Sequence, residues 1–291
     1  MSNHLKLLIV GGNGFVGSSL TKIFVKNFHV TCTYHRSYTP VKGATYLPLP
    51  QLTEKDRCDR FINSLEPDVV IYCLGSNDEA EAEKDPKAAT NIHSGYATHL
   101  IHSSDMSKAK FIYISSDYVF SGIDGNFAES EATVPSSQLG KVKVGAESLV
   151  RSRSLNQLII RCAPLMGRGT LDHPSWLDKM RENVLHSNKV QASSRYIHNP
   201  VHISYLAQVI EKAIEQDLRN KTLHVGGLTK ISSFDLAQLF LHEIGLAPNL
   251  IENSDANSHG NPIDYSINFT ETLNLVETQP LLLEQSFDLF K

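Results

Sequence analysis

Near the start of the chain, Gly11-Gly12-Asn13-Gly14-Phe15-Val16-Gly17 has the spacing of a phosphate-binding turn. Gly11 permits a tight turn, Gly14 clears the place where backbone meets a pyrophosphate, and Gly17 lets a helix lie close to a strand. A helix N-terminus there adds unpaired N–H groups and the positive end of a dipole. A second group of residues selects among dinucleotides. Thr33-Tyr34-His35-Arg36-Ser37 has no acid to bond a ribose 2′-hydroxyl. The planar guanidinium of Arg36 suits a 2′-phosphate instead, and Ser37 and His35 can add hydrogen bonds. These residues predict NADP(H) rather than NAD. The competing readings are a plain tight turn and a solvated surface arginine.

A glycine-rich turn has meaning only between a strand and a helix. Leu5 to Val10 is a short apolar run closed by glycine, which reads as a buried strand. Val16, Leu20, Ile23 and Phe24 then follow a helical period, and His29 to Tyr34 reads as the next strand. Alternation continues with a helix over 54–65, a strand over 68–73, a helix opened by Asp85-Pro86 and running to about 104, a strand over 110–115, a helix over 139–151 and a strand over 158–162. This predicts an α/β fold: a Rossmann-type, doubly wound parallel sheet with helices on both faces. The later pattern is less regular. Helices are expected over 175–185 and 202–216, a strand over 222–225, a helix capped by Ser232 or Ser233 and ended by Gly245, and a loop over 253–262. The expected division is a nucleotide-binding domain over 1–162 and a smaller α/β substrate lobe over 163–291, with some segments returning to the first domain.

The chain has 291 residues, 41% hydrophobic and 20% charged, which suffices for a sizeable core. Net charge is -4 and no long basic run occurs, so nucleic acid is not an expected partner. Cys32, Cys58, Cys73 and Cys162 form no C-x-x-C pair and read as buried free thiols, not as a zinc site or a disulfide framework. Met1 to Lys6 leads at once into a strand, leaving no room for a signal peptide, and no apolar run reaches spanning length. A cytoplasmic protein without membrane contact is expected. His93, His99 and His102 share one helix and read as solvated helix histidines, with no metal expected.

A more specific signature is Phe111-Ile112-Tyr113-Ile114-Ser115-Ser116-Asp117-Tyr118-Val119-Phe120-Ser121-Gly122. It resembles the strand-and-turn segment of the dTDP-4-dehydrorhamnose reductase group of extended short-chain dehydrogenase/reductases. It is also similar to the regulatory β-subunits of methionine adenosyltransferase, non-classical members of that group. Pro67 to Ile71, Glu83 to Pro86 with Ala89 and Asn91, Pro135 to Glu147, Arg161 to Gly167 and Asn199 to His202 agree in order. The resemblance spans nearly the whole chain and weakens after about residue 245. It implies that Gly11, Asn13, Gly14, Phe15 and Val16 line a pyrophosphate, that Arg36 and Ser37 meet the 2′-phosphate, and that Gln51 and Leu52 lie beside adenine. It further implies that Leu74, Gly75 and Ser76 line the nicotinamide side, and that Ser115, Ser116 and Lys143 face the nicotinamide ribose and the substrate carbonyl.

In that group a Ser or Thr works with a Tyr-x-x-x-Lys. Tyrosine protonates the carbonyl oxygen, and the lysine one turn on lowers the phenol pKa and holds the ribose. Here Ser116 and Lys143 match, but the tyrosine position is Leu139. Cys162-Ala163-Pro164 stands where the sugar reductases have a Trp, and Gly260-Asn261-Pro262 replaces their Arg-Arg-Pro. Two functions are therefore expected to compete: an NADPH-dependent reductase of a nucleotide-linked keto-sugar, and a catalytically inactive NADP-binding regulatory protein with a protein partner or a homodimeric form.

Overall fold

A computed structural model of the chain describes residues 5–256 and 260–290. Residues 1–4, where the expected leaderless start falls, and 257–259, within the expected loop, lie outside the described residues. The first half alternates as its periodicity demands: β1 (Lys6–Val10), α1 (Phe15–Phe24), β2 (His29–Tyr34), β3 (Thr45–Pro48), α2 (Lys55–Leu65), β4 (Val69–Tyr72), α3 (Glu79–Lys84), α4 (Pro86–Thr90), α5 (Tyr96–Met106), β5 (Lys110–Ser116), α6 (Gln138–Arg153) and β6 (Gln157–Cys162). A π-turn over Asn91–Gly95 joins α4 to α5, so the helix expected from residue 86 continues through a local widening.

The second half adds β7 (Leu165–Met166), α7 (Trp176–Leu185), β8 (Val190–Ala192), β9 (Tyr196–His198), β10 (Val201–His202), α8 (Ile203–Glu215) and β11 (Lys221–Val225). It ends with β12 (Ile231–Ser232), α9 (Ser233–Glu243), β13 (Ile251–Asn253), β14 (Ile263–Asp264), α10 (Thr270–Val276) and α11 (Leu283–Phe287). Seven strands form one parallel sheet in the order β11-β6-β5-β4-β1-β2-β3. Strand order reverses between β1 and β4, which opens a crevice at their carboxyl ends.

The sheet is apolar on both faces, as a parallel sheet covered by helices must be. Leu7 and Ile9 of β1 pack toward α1 and α8, with Leu20, Phe24, Val209 and Ile210. Leu8 and Val10, one residue out of phase, pack toward α2, α5 and α6, with Ile62, Leu100 and Ala146. A separate core in the C-terminal lobe gathers Met180, Leu236, Phe240 and Phe287.

Two features were not legible in the periodicity. β3 has only four residues and ends on Pro48, which a sheet edge accommodates. The lobe strands are two or three residues long and form by pairing: β8 with β13, β9 with β12 and β14, β7 with β10. Ile251–Asn253 is thus strand, where a loop was expected to begin at 253.

The turn after β5 and the start of α6 lie in close contact. Ser137 caps α6 by accepting the Gly140 N–H at 3.1 Å. A Cβ on Gly140 would lie 2.1 Å from the Tyr118 carbonyl oxygen and 2.7 Å from Pro135 Cβ. Gly140→Ala is therefore expected to destabilise the fold by about 1–3 kcal/mol, as overpacking does. Thermal melts followed by circular dichroism check this; an unchanged midpoint would mean that the helix does not rest against that carbonyl.

Candidate active site

The glycine turn and the end of β2 form one cleft of about 600 Å³, lined by Gly11, Asn13, Gly14, Arg36, Leu74 and Gly75 among others. Gly11 has φ +88°, a left-handed conformation that favours glycine. Its N–H donates to Thr33 Oγ1 at 3.0 Å, and Gly12 N–H donates to the Thr33 carbonyl at 3.0 Å. These bonds tie the turn to β2. Gly14 N-caps α1 without a side-chain cap, and the first turn of α1 carries no acid. The positive helix end therefore faces the cleft unneutralised.

Asn13 is a staple between the two halves of the cleft. Its Nδ2 donates to the Ser37 carbonyl at 2.9 Å, and its Oδ1 accepts the Thr39 N–H at 3.1 Å. The exposed segment from His35 to Ser37 is thereby held beside the glycine turn. Phe15 and Val16, in the first turn of α1, are half-buried. Gln51 is exposed, but Leu52 is buried in the sheet core, and Leu49 lines the cleft wall instead. Asp172 and His173 of the lobe also line the cleft, a contribution with no motif to announce it.

On the other side of the switch point, Ser76 is exposed and its Oγ accepts the Asp78 N–H at 3.1 Å. Ser115 is turned away from the cleft: its hydroxyl donates to Glu147 Oε1 at 2.7 Å. Ser116 Oγ donates to Asp117 Oδ1 at 2.9 Å. Lys143 is buried, with Nζ donating to the Ile114 carbonyl at 3.3 Å and lying 5.7 Å from the Tyr113 ring centre. Burial lowers its pKa to about 8, and neighbouring Cys162, Glu147, Cys73 and Asp117 favour the charged form. Leu139, one helical turn earlier, is 1% exposed and offers no polar group.

His93 corrects the expectation of a solvated helix histidine. It is buried, and a Cβ on Gly75 would lie 2.0 Å from its Cε1. Its Nε2 is 3.3 Å from the Ser76 carbonyl and its Nδ1 3.4 Å from the Tyr113 hydroxyl. The imidazole thus underlies the strand-end loop that Gly75 forms at φ +118°. His99 is half-buried and His102 exposed. Among the described residues no three His, Cys, Asp or Glu side chains gather as a metal group, and no helix is long and apolar enough to cross a membrane.

The sequence matches the RmlD substrate binding domain family over residues 5–268. It is 25% identical over 239 residues to methionine adenosyltransferase 2 subunit beta of Rattus norvegicus, covering 80% of this chain and 70% of that protein. It is 22% identical over 263 residues to dTDP-4-dehydrorhamnose reductase of Mycolicibacterium smegmatis, covering 88% and 75%. Among solved structures, the fold is similar to dTDP-4-dehydrorhamnose reductase of Bacillus anthracis in complex with NADP, with a TM-score of 0.83, 20% identity and 98% of each chain covered.

Two buried imidazoles make stability depend on acid. Burial, with Lys143 adding repulsion, pushes the His93 pKa down from 6.5 to about 3. Burial and Arg161 push His224 down to about 4. Below pH 6.5 the unfolded chain takes up protons that the native imidazoles refuse, so stability falls with pH. The loss is on the order of 1 kcal/mol per pH unit for each group. It accrues from 6.5 down to about 4 for His224 and about 3 for His93. Urea midpoints at neutral and mildly acidic pH measure this, and His93→Asn should show a shallower fall from its own neutral value. A flat profile in the wild type would contradict the burial of both rings.

Proposed function

We propose that this chain, which belongs to the RmlD substrate binding domain family, is an NADP(H)-dependent reductase of a nucleotide-linked keto-sugar. The observation that carries this reading is the cleft at the strand switch point, where glycine turn, uncapped helix end and Arg36 meet. Its donor set fits NADP(H): backbone amides for the diphosphate, a guanidinium for the 2′-phosphate, and no carboxylate at the end of β2 to repel it. Gly11, Gly14 and the first turn of α1 at Phe15 and Val16 would hold the diphosphate. Arg36 and Ser37 would hold the 2′-phosphate, with Asn13 keeping that segment in place. Leu74, Gly75 and Ser76 would border the nicotinamide.

When bound, the reduced nicotinamide supplies the hydride that carbonyl reduction requires. The chain must orient the carbonyl and handle its developing negative charge. Ser116 would hydrogen-bond the oxygen, and the buried Lys143 cation would hold the ribose and favour negative charge nearby. NADP in the similar Bacillus anthracis structure and the names of the reductase relatives support this assignment.

A second reading is favoured by one residue. Leu139, buried and apolar at the position that resembles the family's tyrosine, cannot donate a proton. Together with the methionine adenosyltransferase 2 subunit beta relatives, it supports a cofactor-binding regulatory protein without turnover.

Calorimetry and turnover separate these readings. The wild type should bind NADPH more tightly than NADH. Arg36→Ala should weaken NADPH by about tenfold to a hundredfold, the worth of a charge-assisted hydrogen bond of about 1.5–3 kcal/mol, and leave NADH nearly unchanged. NADPH oxidation on a panel of nucleotide-linked keto-sugars then decides: turnover supports the reductase, and binding without turnover supports the regulator. No response to either dinucleotide at millimolar concentration would remove both readings.

A further inference from the structure

A buried acid–imidazole pair lies where the sheet meets the C-terminal lobe. Asp117 directly follows β5, and His198 closes β9. His198 Nδ1 is 2.6 Å from Asp117 Oδ2. The other carboxylate oxygen, Oδ1, accepts from Ser116 Oγ at 2.9 Å. One carboxylate therefore joins the strand-end hydroxyl to an imidazole from the lobe, 81 residues away in sequence. Asp117 is 1% exposed and His198 5%. The His198 ring stacks on Tyr265, with centres 5.4 Å apart and planes at 20°, and meets Tyr118 at 5.6 Å and 67°. Among the described residues its Nε2 has no hydrogen-bond partner and is not one of the sealed, unpartnered polar atoms.

The charged and titratable groups around the ring come from every packed element. They are Asp117 and Tyr118 after β5, Tyr196 on β9, Tyr265 after β14, Glu79 on α3, and Lys143 of α6 close to Asp117. A carboxylate on Nδ1 fixes the ring's orientation and places the Nδ1 proton on the acid side, so exchange takes place at Nε2. Tyr118 is the other hydroxyl close by, but burial raises its pKa so far that it releases a proton poorly.

We propose that His198 Nε2 delivers to the ligand's carbonyl oxygen the proton that Leu139 cannot supply, with Asp117 as its positioning residue. The proposal rests on the reductase reading. Reduction of the carbonyl adds a hydride at carbon, from the dinucleotide, and one proton at oxygen. The Nε2–H bond breaks as the O–H bond forms, its electron pair stays on nitrogen, and the imidazolium becomes neutral imidazole. Water then restores the proton.

The test uses the full chain with ¹⁵N-labelled histidine and NADP⁺ or NADPH. The ligands are dTDP- and UDP-linked 4-keto-6-deoxy sugars, with the matching 4-hydroxy sugars as controls. The His198 signal, assigned by its loss in His198→Gln, should show a bonded Nδ1 proton before ligand addition. Its Nε2 resonance should shift with a keto-sugar and not with the matching hydroxy sugar, in the presence of NADP⁺. In single turnover with NADPH, His198→Gln should slow oxidation by about 10²–10⁴-fold, as loss of a general acid does. Its NADPH affinity by calorimetry should be unchanged, which also shows that the variant folds. Asp117→Asn should disperse the Nδ1 signal and slow the same step. An Nε2 resonance indifferent to every keto-sugar, an undiminished rate in His198→Gln, or a loss seen in Tyr118→Phe instead would each overturn the proposal. If the wild type oxidises NADPH with a keto-sugar and those results follow, only the proton donor is wrong; if NADPH does not bind, or binds without turnover on any keto-sugar, the underlying reading fails with it.

Discussion

The molecule depends on how closely the start of α1 approaches the turn after β1. A Cβ on Gly17 would lie 2.3 Å from the Gly11 carbonyl oxygen and 2.8 Å from Gly12 Cα. One on Gly12 would lie 2.5 Å from Cys32 Cβ, against β2. Helix and turn thus meet backbone to backbone, and the turn rests directly on the Cys32 side chain of β2. That contact aims the free amides of α1 into the crevice and lets Phe24 and Leu20 reach the core beneath. A wider spacing would move the helix end away from the strand ends and leave the cleft without its floor.

A second constraint holds the opposite wall. Glu147 on α6 is buried, and burial works against its ionisation. Arg161, with Ser115 and Arg151, outweighs that penalty and keeps the carboxyl below its ordinary pKa. Arg161 Nη2 is 2.9 Å and Nε 3.0 Å from the carboxylate, and Ser115 and Arg151 donate to it as well. This network pins α6 to β5 and β6. Lys143 lies one helical turn before Glu147, so the same anchor fixes where its amine points. Ser115 belongs to this anchor while Ser116 donates to Asp117, because successive residues of a strand face opposite sides.

The functional surface therefore has two parts of different origin. Turn chemistry between β1 and α1 and the segment after β2 make the dinucleotide side, stapled by Asn13. The side that the proposed reaction would use is assembled across the domain boundary, where the end of β5 meets α6 and the lobe strand β9. The lobe is tied into the first domain by β11, which pairs with β6 at residues 221–225, and by α8, which packs near α1. The division at residue 162 is thus crossed by both sheet and core.

Local sequence was enough for the six strands and main helices whose apolar period runs through four or more residues, and for the glycine turn with Arg36, since these act through neighbouring backbone. Such signals are short-range, so a single chain displays them in order. It was not enough for β3 or the two- and three-residue lobe strands, which exist only because a partner strand supplies their hydrogen bonds. Nor did it show that Leu52 enters the core, that His93 lies under Gly75, or that Asp117 meets His198. A residue's facing depends on helix phase, strand register and long-range packing, and residues 81 positions apart become partners only when the lobe closes on the sheet. The residue types that can do chemistry were written in the chain; which of them share a carboxylate, and which are spent holding the wall, was decided by the fold.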